Sequence, residues 1–422
     1  MTILIVHKKN PSRRWHLIRA REYAAQHGER LVLVMKDPTW EAEYADQIIL
    51  ADTGDVGEVL TAAKELAAAG QQPLHGVLTF AEASVPAAAR VAAEFGLPSV
   101  SERTATAARD KFAMRSEFAK ADDVPQPRFG LARTLAEARA EAERIGFPLV
   151  LKPVLGTGSM YVRSVADEAE LAQYFDFLRQ GAWQGFTTDP LYHQAMAAYD
   201  GALLLEEFVG GTEISVECLV VDGETRVVAL HDKPLPTGPT FEEVYACTPT
   251  RLPADLMPAI EKATAAVHRA LGIDTGGTHV EFRLRQEREP VVLEAAARLG
   301  GGPICRSVHL STGVDMVGAL LDLATGRTPV IEPREHPDAV GFWNIFPKRG
   351  GRLTAVHGVE QALADERVKE LEIYREIGET LAVPPQTFQG HGHLIFTADG
   401  VDRLDETFTQ LTELVRLETE PA

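Results

Sequence analysis

Two glutamates, Glu281 in THVEFRL and Glu294 in VVLEAAAR, sit in apolar runs, His279 to Leu284 and Pro290 to Ala295, that flank the charged stretch Arg285 to Glu289. This arrangement predicts an antiparallel hairpin. With the turn centred near Glu287, Leu284 faces Val291, Arg283 faces Val292, Phe282 faces Leu293 and Glu281 faces Glu294. Carboxylates directly opposed on one face lie about 5 Å apart and repel, so a positive group is expected between them. Mg2+ suits that position, because it takes one or two carboxylates and completes its shell with phosphates and water. Arg298 follows, and Gly300 to Gly302 let the backbone approach a ligand closely. The alternative is a surface hairpin whose acids are neutralised by Arg283, Arg285 or Arg298.

Other chemistry-bearing residues lie upstream. Lys111 stands in ARDKFAMR, and Lys152 ends the strand-like FPLVLKP, just before the turn GTGS, Gly156 to Ser159. A glycine-rich turn beside a lysine can wrap N–H groups and an ammonium around a polyphosphate; a plain turn reads the same way. The Walker and GxGxxG spacings are absent. ALLLEEFVGG, 202 to 211, reads as an apolar strand ending in Glu206 and Glu207, with TEISVECLVV, 212 to 221, as its hairpin partner. An adenine across the connector would meet Glu207, Phe208 and Val209, with Glu213 reaching the ribose, although an ordinary hairpin with wet acids also fits. His231 and Lys233 open a Pro/Gly/Thr-rich segment, 231 to 249, of a length typical of lids. Glu82 follows the strand Gly76 to Phe80, where it either recognises an amino group or complements the dipole of the next helix.

These groups need a scaffold. At 422 residues the chain exceeds one ordinary core, so several lobes are expected. TILIV, Arg14 to Gln26, RLVLVM, Val56 to Ala69 and GVLTF alternate as strand and helix, which predicts a parallel sheet with covering helices. Thr104 to Ala121 and Leu135 to Ile145 read as helices, as do Ala254 to Leu271 and Val314 to Ala324. The expected divisions are an α/β lobe at 1–102, a small central lobe at 103–206, a large lobe at 207–335 carrying the acids, and an α+β cap at 336–422 with no visible chemistry. A formal charge of -19 speaks against nucleic acid or anionic membrane as partner. Three cysteines without paired spacing, and no signal-like or membrane-length apolar run, lead us to expect a cytoplasmic protein.

The order of these pieces resembles the ATP-grasp ligases over nearly the whole chain. The resemblance implies a multi-lobe α/β and α+β fold with ATP and Mg2+. Lys111 and Lys152 would bind phosphates, with Gly156, Gly158 and Ser159 in the mobile loop. Glu206, Glu207, Phe208 and Val209 would form the adenine connector and Glu213 the ribose contact. Glu281 and Glu294 would be the metal ligands and Arg298 the catalytic arginine. Within the family, TFAEASVP, ARDKFAM, HDKP, THVEFRL and LEAAARLGG are most similar to the bacterial L-amino-acid ligases that make dipeptides. That likeness implies a carboxylate and an amine as substrates, with Glu82 and His231 lining the amino-acid pocket, and a homodimer through the N-terminal lobe. Ala296 stands where many ATP-grasp members have asparagine, which removes one oxygen ligand for a second Mg2+. Gly302 stands where a dipeptide ligase can carry a bulky aromatic, so a larger second substrate is expected. Alternatives are a carboxylase-like or nucleotide-biosynthetic enzyme that activates bicarbonate or formate, and a phosphotransferase.

Overall fold

Four parallel strands, Thr2–Val6, Arg30–Met35, Gln47–Leu50 and Leu74–Leu78, form the first sheet in the order third, second, first, fourth. TILIV is buried at every position, as strands covered on both faces must be. Helices Arg14–His27, Val56–Ala68 and Val85–Phe95 supply the cover. Because the first and fourth strands are neighbours, the chain leaves their carboxyl ends in opposite directions and opens a crevice there. Lys8, Lys9, Asn10, Ser12 and Glu82 line it. The computed structural model describes residues 1–70, 73–236, 238–384, 386–387 and 389–421.

The stretch expected as one helix from Thr104 to Ala121 is two, Glu102–Arg109 and Lys111–Phe118. Asp110 breaks it in an extended conformation and caps the second helix by accepting from the Phe112 and Ala113 amides. Tyr199 donates to the same carboxylate at 2.7 Å. Lys111 therefore occupies the first turn of a new helix, where its amide donates to Val154 O.

A four-stranded antiparallel sheet follows, in the order Phe129–Ala132, Leu203–Glu207, Leu149–Lys152, Arg163–Val165. Helices Leu135–Ile145 and Glu168–Gly185 bury Ile145, Leu171 and Phe175 against it. Leu203–Glu207 does not pair with Glu213–Val221 as a hairpin, contrary to the sequence expectation. The second strand lies in another sheet, between Gly276–Arg285 and Glu224–Leu235. The connector 208–212 is thus a crossing between two sheets rather than a turn. Gly211 makes the crossing possible: its φ is +98°, and a Cβ there would stand 2.0 Å from Leu284 O.

That larger sheet has eight strands: Glu289–Ala296, Gly276–Arg285, Glu213–Val221, Glu224–Leu235, Tyr245–Thr248, Ala339–Asn344, Gly392–Ala398 and Val368–Ile373. One expectation changes here. HDKPL and YACT of the expected loop are strands that pair with each other, leaving only the segment between them as a loop, in which Thr237 lies outside the described residues. Three strands of the C-terminal region extend this sheet. A further small sheet, Thr380–Leu381, Gly351–His357 and Arg416–Glu420, completes the chain. Among the described residues no helix is long and apolar enough to cross a membrane.

Candidate active site

The hairpin Gly276–Arg285 and Glu289–Ala296 pairs Glu281 with Glu294, as its sequence implies. Its outer half has a different register: Leu284 faces Pro290, Arg283 faces Val291 and Phe282 faces Val292. Leu293 is the extra residue of a bulge that restores the pairing of the two acids. Arg115 donates to the carbonyl of Leu293 at 2.6 Å, so a buried guanidinium holds the irregularity in place.

Glu281 and Glu294 both line a cleft between the two antiparallel sheets and a second cavity toward the parallel sheet. They form the partition between the two spaces. Lysines neutralise each: Lys111 Nζ lies 2.9 Å from Glu294, and Lys233 Nζ 2.7 Å from Glu281. Burial pushes the Glu281 carboxyl up, but Lys233 and His279 outweigh it and hold the group well below the usual range. The mutual repulsion of the acids is thus balanced by ammonium groups rather than by Arg283, Arg285 or Arg298.

Lys111, Lys152, Gly156, Ser159, Glu206, Glu207, Phe208, Val209 and Glu213 all line the cleft, and Gly158 lines the adjoining cavity. Arg115 and Lys152 share Glu206 at 2.6 and 2.5 Å, all three groups being buried. Two cations on one carboxylate leave a net positive charge in a poorly solvated place, which favours an anion. At the opposite end Arg283 donates to Val209 O at 3.1 Å, pairs with Glu213, and lies 5.2 Å from the centroids of both Phe208 and Phe241.

The cavity encloses about 470 Å³, within the range of small-molecule sites. Arg298 stands on its wall with Nε 2.5 Å from Glu82. Arg109 approaches the other Glu82 oxygen at 3.4 Å. Burial raises the Glu82 carboxyl, yet Arg298 and Arg109 hold it below its ordinary value. Gly302, with φ +51°, faces Asn344 across the same space.

Residues 145–306 match the ATP-grasp domain, and residues 344–420 match the L-amino acid ligase C-terminal domain 2. The chain thus carries an ATP-grasp domain followed by an L-amino acid ligase C-terminal domain. It is 28% identical over 363 residues to the alanine–anticapsin ligase of Bacillus subtilis, covering 79% of this chain and 74% of that protein. Human carnosine synthase 1 is 25% identical over 373 residues, 84% of this chain but only 44% of that longer protein. The crystal structure of an L-amino acid ligase from Bacillus licheniformis superposes with a TM-score of 0.80 at 22% identity, covering 99% of this chain and 98% of that one. The molecule is accordingly an ATP-dependent ligase that forms C–N bonds.

His231 is the one expected site residue that lines neither the cleft nor the cavity. It is fully buried, its Nε2 is 2.8 Å from Ser307 Oγ, and burial lowers its pKa to about 4. His279 takes the wall position instead. Its Nδ1 lies 2.7 Å from Glu217 and its Nε2 3.3 Å from Glu281. Burial disfavours its charge, but Glu217 and Glu281 raise its pKa to about 10, so it is an imidazolium at neutral pH. The signal was present in the sequence, since His279 precedes Glu281 by two residues and shares its face of the strand. Arg13, Asn344, Tyr374 and Gln389 also reach the cavity, and no motif announces them.

Proposed function

We propose that this ligase uses ATP and Mg2+ to convert an amino acid, or a related small acid, to an acyl phosphate and joins it to an amine. A carboxylate is a poor electrophile because its leaving group would be oxide. In the proposed reaction an acid oxygen attacks the γ-phosphorus and ADP leaves; the amine nitrogen then attacks the acyl carbon, phosphate leaves, and the nitrogen gives up a proton. The observation that carries this reading is the shared wall: Glu281 and Glu294 face both the cation-rich cleft and the cavity beneath Arg298. A nucleotide on one side and an acid on the other would meet there.

The residues fit such a nucleotide and ion. The opposed carboxylates offer the hard oxygens that Mg2+ prefers, and the ion would neutralise phosphate charge during transfer. Lys111, Lys152 and Arg115 supply fixed positive charge. The Val209 amide has no hydrogen-bond partner among the described residues, which leaves it free for a purine edge. Glu82 fixes Arg298 on the cavity wall, where it would stabilise the acyl oxygen.

Phosphate release measured with acid alone, amine alone and both together tests the reading, with mass detection of the product. Release that needs both, with an amide formed, is expected; a phosphorylated acceptor that accumulates would make the protein a kinase. In Arg298→Ala we expect amide formation to fall about 10²-fold or more, with ATP binding by calorimetry largely retained. Unimpaired ligation by that variant removes Arg298 from the mechanism.

A further inference from the structure

Arg109 is buried and lines neither the cleft nor the cavity, yet it touches a wall of each. It ends the helix Glu102–Arg109, one position before the break at Asp110. Its Nη2 is ion-paired with Asp189. Its Nη1 lies 3.3 Å from the Gly156 carbonyl and 3.4 Å from Glu82 Oε1. Burial disfavours the charge, but Asp189 and Glu82 more than offset it and raise the pKa. These partners come from three separate stretches: Glu82 from the first lobe, Gly156 from the head of the glycine turn, and Asp189 from the segment after helix Glu168–Gly185. Asp189 is fixed in turn, because it accepts from the Leu191 amide at 3.0 Å and its own amide donates to Phe186 O at 2.9 Å. The Phe186 ring packs on Gly156, where a Cβ would stand 2.8 Å from it. Lys111 Nζ shares the Gly156 carbonyl at 3.3 Å. The turn that starts there carries Thr157 and Ser159, which line both the cleft and the cavity.

A good N–H···O bond is about 2.9 Å long, so neither contact of Nη1 is at its optimum. The group is divided between a carboxylate of the first lobe and a carbonyl of the glycine turn. A substrate ammonium beside Glu82 would take over part of that carboxylate and release Nη1 toward the Gly156 carbonyl. The turn would then be held more tightly where it meets a nucleotide. Linkage requires the reverse as well: a nucleotide that orders the turn raises the affinity for the amino acid.

We propose that Arg109 is a positioning residue that couples amino-acid binding beside Glu82 to nucleotide binding at the Gly156 turn. The assignment rests on the ligase reading above. Phosphate release from ATP with pairs of proteinogenic amino acids would first identify a pair that is turned over, and product mass would tell which member is the activated acid. Calorimetry on the whole enzyme would then give Kd for the magnesium complex of β,γ-imido-ATP with and without that acid at saturation, and Kd for the acid with and without the nucleotide. In the parent each ligand should lower the Kd of the other by the same factor, about 5-fold or more. Arg109→Lys keeps the charge but gives up the planar fork that reaches three acceptors. Its coupling factor should fall to about one, while each ligand alone binds within a few-fold of the parent. Asp189→Asn keeps an oxygen for the Leu191 amide; it should lower the factor in the same direction, and it carries the test where Arg109→Lys does not fold. Absence of coupling in the parent overturns the assignment. So does a factor left unchanged in the variants: Kd values that rise equally with and without the second ligand would make Arg109 a structural residue only. Both of those results leave the ligase intact. Should no amino-acid pair drive phosphate release, the ligase reading itself falls, and this one with it.

Discussion

Glu281 and Glu294 carry opposite tasks at one place, since each neutralises a lysine and, in the proposed function, each would hold a metal ion. Glu281→Gln and Glu294→Gln should each lower ligation by about 10²-fold or more. Added Mg2+ should recover part of the loss, and EDTA should abolish turnover of the parent enzyme; full activity in either variant would remove that residue from metal binding. A second residue-scale consequence concerns His268, held neutral between Thr225 and Thr278 at 2.7 and 2.9 Å. Burial lowers its pKa from 6.5 to about 4. Its folded form binds fewer protons than the unfolded chain between those values, so its contribution is present above pH 6.5 and lost as pH falls toward 4. The loss amounts to at most about 3 kcal/mol. Urea melts at pH 7 and pH 5 should show stability falling on acidification, with a shallower fall in His268→Gln; equal slopes would assign the acid sensitivity elsewhere.

At the scale of elements, the departures from sequence expectation concentrate where the chain places a functional group. ARDKFAMR contains no glycine or proline, and its one local end signal is Asp110, which caps the second helix. The same carboxylate also accepts from Tyr199, 89 positions away. Asp110→Ala should cost about 1–2 kcal/mol through loss of the cap and should raise KM for ATP by displacing Lys111. Asp110→Asn keeps the capping oxygen and should lie near the parent in thermal melts, whereas equal damage from both would discount capping. The bulge at Leu293 follows the same rule. Its partner Arg115 is 178 residues distant, so the outer hairpin register was not legible although the pairing of the two acids was.

For the whole molecule the proposed function raises the question of how water would be kept from an acyl phosphate. Lobes that are distant in sequence meet over the cleft, where the Ser164 amide donates to Pro239 O at 2.8 Å and Phe241 borders both Arg283 and the partition. Closure of this kind excludes competing hydrolysis. Phe241→Ala should therefore increase phosphate release relative to amide product by several-fold at unchanged fold stability. A product-to-phosphate ratio equal to that of the parent would deny the segment this role. The C-terminal region joins the same enclosure: its strands extend the large sheet, and Asn344, Tyr374 and Gln389 reach the cavity.

The cleft residues were named through the family resemblance, and the sequence by itself determined the alternation of strands and helices in the first lobe and the opposition of Glu281 and Glu294. Each of these follows from a period of two or 3.6 residues, or from residues within one short motif, so local patterning is enough. Tertiary structure decided that the strand ending in Glu207 and the strand beginning at Glu213 belong to different sheets, that His279 rather than His231 faces the cavity, and that Arg13 stands there without a counter-ion among the described residues. The physical reason is that burial and charge pairing are properties of what surrounds a side chain. For these groups the surroundings come from opposite ends of the chain: Arg13 rests on Gly300, and Asn10 on Gln389.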